Sequence, residues 1–252
     1  MLLFIVSLGI LGSVPDWAIV QSDSRGVVEE SAQSYVEFAA RLNATYYHFT
    51  CDARLTKPRI VLSLCHRHKM VLWADSDSIA HPDLTSSFSN NVFTLARRLP
   101  DMDLLFGTDY YETNKKVDRG TSPYVGKFNA GLFIAFCPAA TAILHEWDHH
   151  LSRLEPKDDQ VAIQAMAAEN SVWHNRILYD FKIMGVYSIY FDHYPGSDRK
   201  YFPTSITTPN TKIMPKACPW APAPSSSRNA APLLLRGAHV GILFVVGVVF
   251  VY

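Results

Sequence analysis

Short apolar runs alternate with amphipathic stretches along this chain, and that alternation predicts strands separated by helices. Compact apolar runs such as residues 70–74 are typical of strands that are buried on both faces of a sheet. Stretches in which apolar residues recur every three or four positions, such as residues 28–42, are typical of helices with one buried face. The predicted strands are residues 1–11, 46–49, 70–74, 104–106 and 128–136, and the predicted helices are residues 28–42, 60–64, 92–99, 138–151 and 159–169.

Strand–helix alternation of this kind implies crossover connections between the strands. Crossovers produce a mainly parallel sheet that is covered by helices on both faces, so we predict an α/β fold. In such sheets, ligands bind at the carboxyl ends of the strands. The length of 252 residues allows one domain or one and a half.

The two ends of the chain are each open to two interpretations. Residues 1–11 are apolar and fit either a signal peptide or a buried strand, and we favour the strand because the first basic residue is Arg25. Residues 206–232 are predicted to be a linker, since their second half is rich in Pro, Ser and small residues. Residues 233–252 form an apolar tail, which indicates either membrane attachment or a terminus packed on the domain.

The composition of the chain narrows the classes of function. It has 23 Lys and Arg against 23 Asp and Glu, and this zero net charge argues against a nucleic-acid-binding protein. With 48% hydrophobic and 18% charged residues, most of the chain can fold around a core. The four cysteines are too few for a disulfide scaffold, so they are either free or joined in one or two bridges.

Two carboxylates follow the apolar strand at residues 70–74 directly. Asp75 and Asp77 are two residues apart, so an extended backbone would point both side chains to the same side. Converging carboxylates repel each other unless a cation lies between them, and carboxylate oxygens are preferred ligands of Mg²⁺ and Mn²⁺. The pair therefore predicts a metal site, with a plain polar turn as the alternative.

Three further polar features lie beyond this pair. Asn129 enters an apolar strand and Gly131 follows it, which indicates either an amide that faces a ligand pocket or a local bulge. The acidic pair at residues 158–159 stands before an apolar helix, where capping is the ordinary role of aspartate. His193 precedes a tight turn and two cations, so beside a carboxylate-bound metal it is a candidate third ligand.

The order of these motifs resembles that of the nucleotide-sugar glycosyltransferases of the GT-A fold, and of glycosyltransferase family 8 in particular. The matching motifs are an apolar strand followed by D-S-D, then F-N-A-G-L-F-I, then D-Q before a helix, then H-Y-P-G with following cations. The resemblance covers residues 1–205 and implies a single Rossmann-like GT-A domain. It also implies metal-dependent transfer of a sugar, with retention, from a nucleoside-diphosphate sugar such as a UDP-sugar to a glycan, protein or lipid acceptor.

The resemblance implies a role for each matching residue. Asp75, Asp77 and His193 would hold Mn²⁺ or Mg²⁺, and Asp159 with Gln160 would face the transferred sugar as the catalytic residues. The residues that would bind the donor are Asp109, Asn129, Gly131, Lys57, Gly196, Arg199 and Lys200.

The positions of the basic residues bear on this assignment. Lys57 lies ahead of the predicted second helix, where the family often has a lysine, and Pro58 would fall in the first turn of that helix. The family's phosphate-binding lysine usually follows the histidine by six positions, a place that Arg199 takes here, with Lys200 next. Both cations are therefore candidates for the donor phosphates.

Two other functions fit parts of the pattern. A phosphatase of the haloacid dehalogenase type also places D-x-D after an apolar strand, with Asp75 as its nucleophile, but there the motif usually closes the first strand. A non-catalytic sugar-nucleotide-binding module would keep Asn129 and the pocket without turnover. The transferase accounts for more of the motifs, and its predicted location is the secretory pathway or Golgi membrane, with the cytoplasm as the alternative.

Overall fold

The computed structural model describes residues 16–23, 29–107, 129–173, 175–184 and 188–193. All of them belong to the first of two compact units, Met1–Pro219. The strands are β1 Trp17–Ser22, β2 Thr45–Phe49, β3 Met70–Ala74, β4 Ser78–Ala80, β5 Leu104–Gly107, β6 Asn129–Phe136, β7 Ile177–Tyr179 and β8 Phe191–His193. The helices are α1 Glu29–Leu42, α2 Ala53–Cys65, α3 Thr85–Arg98, α4 Thr141–Arg153, α5 Asp159–Glu169 and α6 Phe181–Met184, with 3₁₀ turns at Pro82–Leu84 and Ser171–Trp173.

Six of these strands form one sheet in the order β2-β1-β3-β6-β5-β7. β1 is parallel to β2 and β3, and β5 is parallel to β7, whereas β6 lies antiparallel between β3 and β5. The prediction of a mainly parallel sheet is confirmed, with β6 as its antiparallel member. β4 and β8 form a separate antiparallel pair.

Side chains of the central strands alternate between two buried faces, and helices cover both of them. On one face, Leu72 of β3 belongs to a core cluster that includes Phe38 of α1. On the other face, the ring of Trp147 from α4 lies 5.8 Å from that of Phe106 and 5.4 Å from that of Phe133. The predicted arrangement of helices on both faces is therefore confirmed, and it explains why the strands are apolar on both sides.

The first strand and the start of α3 differ from the prediction. The strand β1 is absent from the prediction, which placed its first strand in residues 1–11, and those residues lie outside the described part of the chain. The helix α3 begins at Thr85 and not at residue 92. Phe88 is buried like Val92, but the three residues between them are polar. Phe88 is therefore the one buried apolar residue in the first two turns, too little to predict a helix there.

The helix α2 also begins earlier than predicted. Asp52 caps it, because the Asp52 carboxylate accepts a hydrogen bond from the Arg54 N–H at 3.1 Å. Pro58 consequently lies inside the helix and not in its first turn. Lys57, predicted to stand ahead of the helix, is a buried residue within it.

A disulfide joins Cys65, at the end of α2, to Cys137, just after β6. Of the alternatives left open for the cysteines, a bridge is confirmed for this pair. Because the two residues are 72 positions apart, the bond restricts a long loop of the unfolded chain and ties α2 to the sheet.

No helix among the described residues is long and apolar enough to cross a membrane. The predicted linker at residues 206–232 and the predicted tail at residues 233–252 lie outside those residues. Membrane attachment through the tail therefore stays a prediction.

Candidate active site

The two aspartates predicted to bind metal lie in a turn at the carboxyl end of β3. The Asp75 N–H donates to the Gly131 carbonyl at 2.7 Å, and the Asp75 carbonyl accepts from Ser78 Oγ at 2.6 Å and from Gln21 Nε2 at 3.2 Å. The Ser78 N–H also donates to the Asp75 carbonyl at 3.2 Å, which closes the turn around Asp77. A turn, and not the extended backbone that the spacing predicts, therefore brings the two carboxylates together.

The third predicted ligand reaches this turn through the small sheet. His193 in β8 pairs with Ser78 in β4, which directly follows the two aspartates. Asp75, Asp77 and His193 each offer a donor atom, and these atoms all lie within 4.8 Å of one another. His193 Nε2 is 3.2 Å from Asp77 Oδ1, and both side chains are buried. The structure thus brings together three residues that span more than a hundred positions of sequence.

A buried lysine lies beside this cluster. Lys57 in the second turn of α2 is 2% exposed, and its Nζ is 2.5 Å from Asp159 Oδ2 and 3.2 Å from Asp75 Oδ1. The ammonium also donates to the Ala130 carbonyl at 2.6 Å. Three oxygens therefore contact the buried Lys57 ammonium. A buried ammonium is tolerated when it is paired and hydrogen-bonded in this way.

The protonation of Lys57 follows from these partners. Burial alone would lower its pKa, but the carboxylates of Asp159 and Asp75 outweigh burial and hold the pKa of Lys57 above its ordinary value. Burial raises the pKa of Asp159, and the Lys57 ammonium acts against that rise. Since Asp77 adds a third carboxylate, the group carries more negative charge than Lys57 neutralises. Two carboxylates and an imidazole in such surroundings fit a divalent cation.

The indole of Trp73 orients the first aspartate. Trp73 is fully buried in β3, and its Nε1 donates to Asp75 Oδ1 at 2.8 Å. Lys57 approaches the same oxygen, so both contacts fix one oxygen of the carboxylate. Contacts of this kind hold a metal ligand in its binding orientation. Nothing in the sequence pattern distinguishes Trp73 from the other apolar residues of its strand, so its role was not predictable.

Asp158 and Asp159, the acidic pair at the start of α5, have different roles. Asp158 is the cap, because its carboxylate accepts from the Val161 N–H at 2.9 Å. Asp159 turns inwards to Lys57, and its carbonyl accepts from Trp147 Nε1 at 2.9 Å. Capping therefore accounts for Asp158 alone, and Asp159 belongs to the site.

The two residues singled out in β6 lie next to the turn that contains Asp75 and Asp77. Asn129 is buried, and its Oδ1 accepts from the Gly131 N–H at 2.7 Å. Gln160 Oε1 accepts from the N–H of Ala130 between them at 3.4 Å. Gln160 of α5 therefore contacts β6 at the residue between Asn129 and Gly131. The pairing with β5 is irregular at this point, because Phe106 pairs with Phe133 and Gly107 pairs with Asn129, so the local bulge that was the alternative interpretation is also present in β6.

Four predicted donor-binding residues lie outside the described part of the chain, and their roles stay predictions. They are Asp109, Gly196, Arg199 and Lys200.

A comparison with protein-family models identifies the class to which this fold and site belong. The chain belongs to the nucleotide-diphospho-sugar transferase family, whose model matches residues 41–214, more than half of the 252-residue chain. It is therefore a glycosyltransferase, and the phosphatase and the non-catalytic module are set aside. A search of curated proteins finds no match.

Solved structures with similar folds include two glycosyltransferases. One is a glycosyltransferase involved in the glycosylation of the major capsid of PBCV-1, at 13% identity, with 74% of this chain and 100% of that chain covered and a TM-score of 0.51. Another is the galactosyltransferase LgtC in complex with donor and acceptor sugar analogues, at 13% identity, with 71% and 87% covered and a TM-score of 0.45. The first likeness supports the fold alone, and the predicted Rossmann-like GT-A fold is confirmed.

Proposed function

We propose that this glycosyltransferase transfers a sugar from a nucleoside-diphosphate sugar, and specifically from a UDP-sugar, in a reaction that depends on Mn²⁺ or Mg²⁺. The observation that carries the proposal is the convergence of Asp75, Asp77 and His193 within 4.8 Å at the carboxyl end of β3. Ligands of open α/β sheets bind at such strand ends. Metal ions with carboxylate ligands commonly share their coordination shell with substrate phosphates.

Asp75, Asp77 and His193 would hold the cation, and the contacts around them keep their donor atoms in place. When bound, a divalent cation neutralises negative charge on the diphosphate as it leaves. Lys57 and Trp73 fix one oxygen of Asp75, which directs its other oxygen away from them. The resemblance assigns Arg199 or Lys200 to the same phosphates.

The proposed reaction breaks the bond between the anomeric carbon of the sugar and a diphosphate oxygen, and the electron pair leaves with UDP. An oxygen of the acceptor hydroxyl forms the new bond to that carbon, and its proton is released. Positive charge develops on the sugar meanwhile, and the carboxylate of Asp159 beside Lys57 is suited to stabilise it. Gln160, Asn129 and Asp109 would bind sugar hydroxyls, and retention of configuration follows from the resemblance to family 8.

Release of UDP from a panel of UDP-sugars tests this function. Many transferases hydrolyse their donor slowly without an acceptor, so we expect UDP release from at least one donor with Mn²⁺ present. Excess chelator should abolish that release, and added Mn²⁺ should restore it. Equal release with chelator and with Mn²⁺ would contradict the metal dependence, and release of inorganic phosphate from simple phosphate esters would favour phosphatase chemistry.

We also propose that the protein works in an oxidising compartment such as the secretory pathway. The support is the Cys65–Cys137 disulfide, since such bonds persist mainly where thiols are not kept reduced. When the protein is isolated from its own cells under acid quench and then alkylated, Cys65 and Cys137 should stay unmodified until a reductant is added. Modification of either cysteine before reduction would contradict this location.

A further inference from the structure

The missing side chain of Gly131 leaves the space that the His193 ring occupies. A Cβ atom at position 131 would lie 2.8 Å from His193 Nε2, and closer still to His193 Cε1. It would also lie 2.8 Å from Asn129 Oδ1. Real Cβ atoms do not tolerate contacts this short, so a side chain here requires the imidazole or the amide to move.

Neither neighbour can move without a loss of other contacts. His193 is 2% exposed, its backbone is paired with Ser78 in the small sheet, and its Nε2 lies 3.2 Å from Asp77 Oδ1. Asn129 is 3% exposed, and its Oδ1 is held by the Gly131 N–H. The ring is the bulkier neighbour and has no flexible end that could turn aside.

Gly131 also contacts Asp75, another residue of the candidate metal site. Its carbonyl accepts the N–H of Asp75 at 2.7 Å, so one residue fixes the backbone of the first aspartate and accommodates the ring of the histidine. A purely sugar-facing glycine would leave open space where its side chain is missing. Here that space is filled by a candidate metal ligand.

We infer that Gly131 is a positioning residue for the metal site, which it serves by seating the His193 imidazole against Asp77. This inference rests on the proposed function, because it concerns the same cation site. It changes the role that the sequence resemblance implies for Gly131, from a residue along the sugar pocket to one that acts through His193.

The test is a double-mutant cycle on Mn²⁺ affinity, followed by the paramagnetic resonance signal of free Mn²⁺ in the presence of UDP. Gly131→Ala should weaken Mn²⁺ binding by about 10-fold or more, the usual effect of disturbing a residue that orients a metal ligand. In a His193→Ala background, the same Gly131→Ala change should have a much smaller further effect, since the ring that it displaces is gone and only the contact with Asn129 Oδ1 remains.

Each outcome decides the inference. Wild-type affinity in Gly131→Ala, or an equal loss in the His193→Ala background, would overturn it. If Gly131→Ala does not fold, recovery of folding in Gly131→Ala/His193→Ala supports the inference, and its absence overturns it. If the wild type binds no Mn²⁺, the proposed metal dependence fails, and the thermal stability of the same four proteins then decides whether Gly131 and His193 are coupled.

Discussion

Replacement of Lys57 by methionine is expected to lower the free energy of unfolding by about 3–5 kcal/mol, the usual result of removing one partner of a buried ion pair. Methionine keeps most of the volume but leaves the Asp159 and Asp75 carboxylates facing each other without a counter-charge. Because the pKa of Lys57 is raised above its ordinary value by the two carboxylates, the ammonium is charged throughout the neutral range. Equilibrium unfolding in urea measures the change.

A matched control separates this effect from the loss of any lysine. Lys69→Met also breaks an ion pair, with Asp16 at 3.1 Å, but both of those side chains are more than half exposed. We expect that control to change the free energy of unfolding by less than about 1 kcal/mol. Lys57→Met combined with Asp159→Asn should recover part of the loss, because the amide needs no counter-charge. Equal values for Lys57→Met and Lys69→Met would show that the buried ammonium has no special role.

Asp77→Asn is expected to reduce Mn²⁺-dependent sugar transfer by about 100-fold or more, since loss of a few kcal/mol of charge stabilisation has an effect of that size. Asparagine has the same shape as aspartate, and it removes one negative charge from the acidic cluster, so folding should be retained. The rate of UDP release at saturating Mn²⁺ measures the change, and circular dichroism with thermal unfolding checks the fold.

The control for this variant is a carboxylate outside the cluster. Asp148 in α4 pairs with Arg59 of α2 at 2.7 Å and lies outside the Asp75, Asp77 and His193 cluster. Asp148→Asn should keep the wild-type rate. Wild-type activity in Asp77→Asn would remove this residue from the site, and an equal loss in both variants would indicate a general effect of lost charge.

Parts of the fold with a strong local signal were predictable from the sequence. The strand β3 coincides with its predicted bounds, Met70–Ala74, because a compact apolar run between polar residues has few other interpretations. The helix α5, Asp159–Glu169, is also as predicted, because an acidic cap precedes an apolar stretch. The resemblance carried by the order of the motifs also predicted that Asp75, Asp77 and His193 lie together, as they do in the structure.

The remaining features depend on contacts between elements that are distant in sequence. The resemblance places Lys57 ahead of a helix as a donor-binding residue, and its burial within the helix depends on the packing of α2 and α5 on the sheet. Trp73 is apolar like its neighbours, and its hydrogen bond to Asp75 depends on where the strand ends. Gly131 gave a signal for close approach, but the approaching group, the His193 ring, was identifiable only in three dimensions.

Calorimetric titration of the wild-type protein with UDP, in Mn²⁺ and then in excess chelator, tests the central claim most directly. We predict that UDP binds at least about 10-fold more tightly with Mn²⁺, a difference of roughly 1.4 kcal/mol, and that Asp77→Asn loses this gain. Equal UDP affinity with and without Mn²⁺ in the wild type would contradict the claim that Asp75, Asp77 and His193 hold a cation for the donor diphosphate.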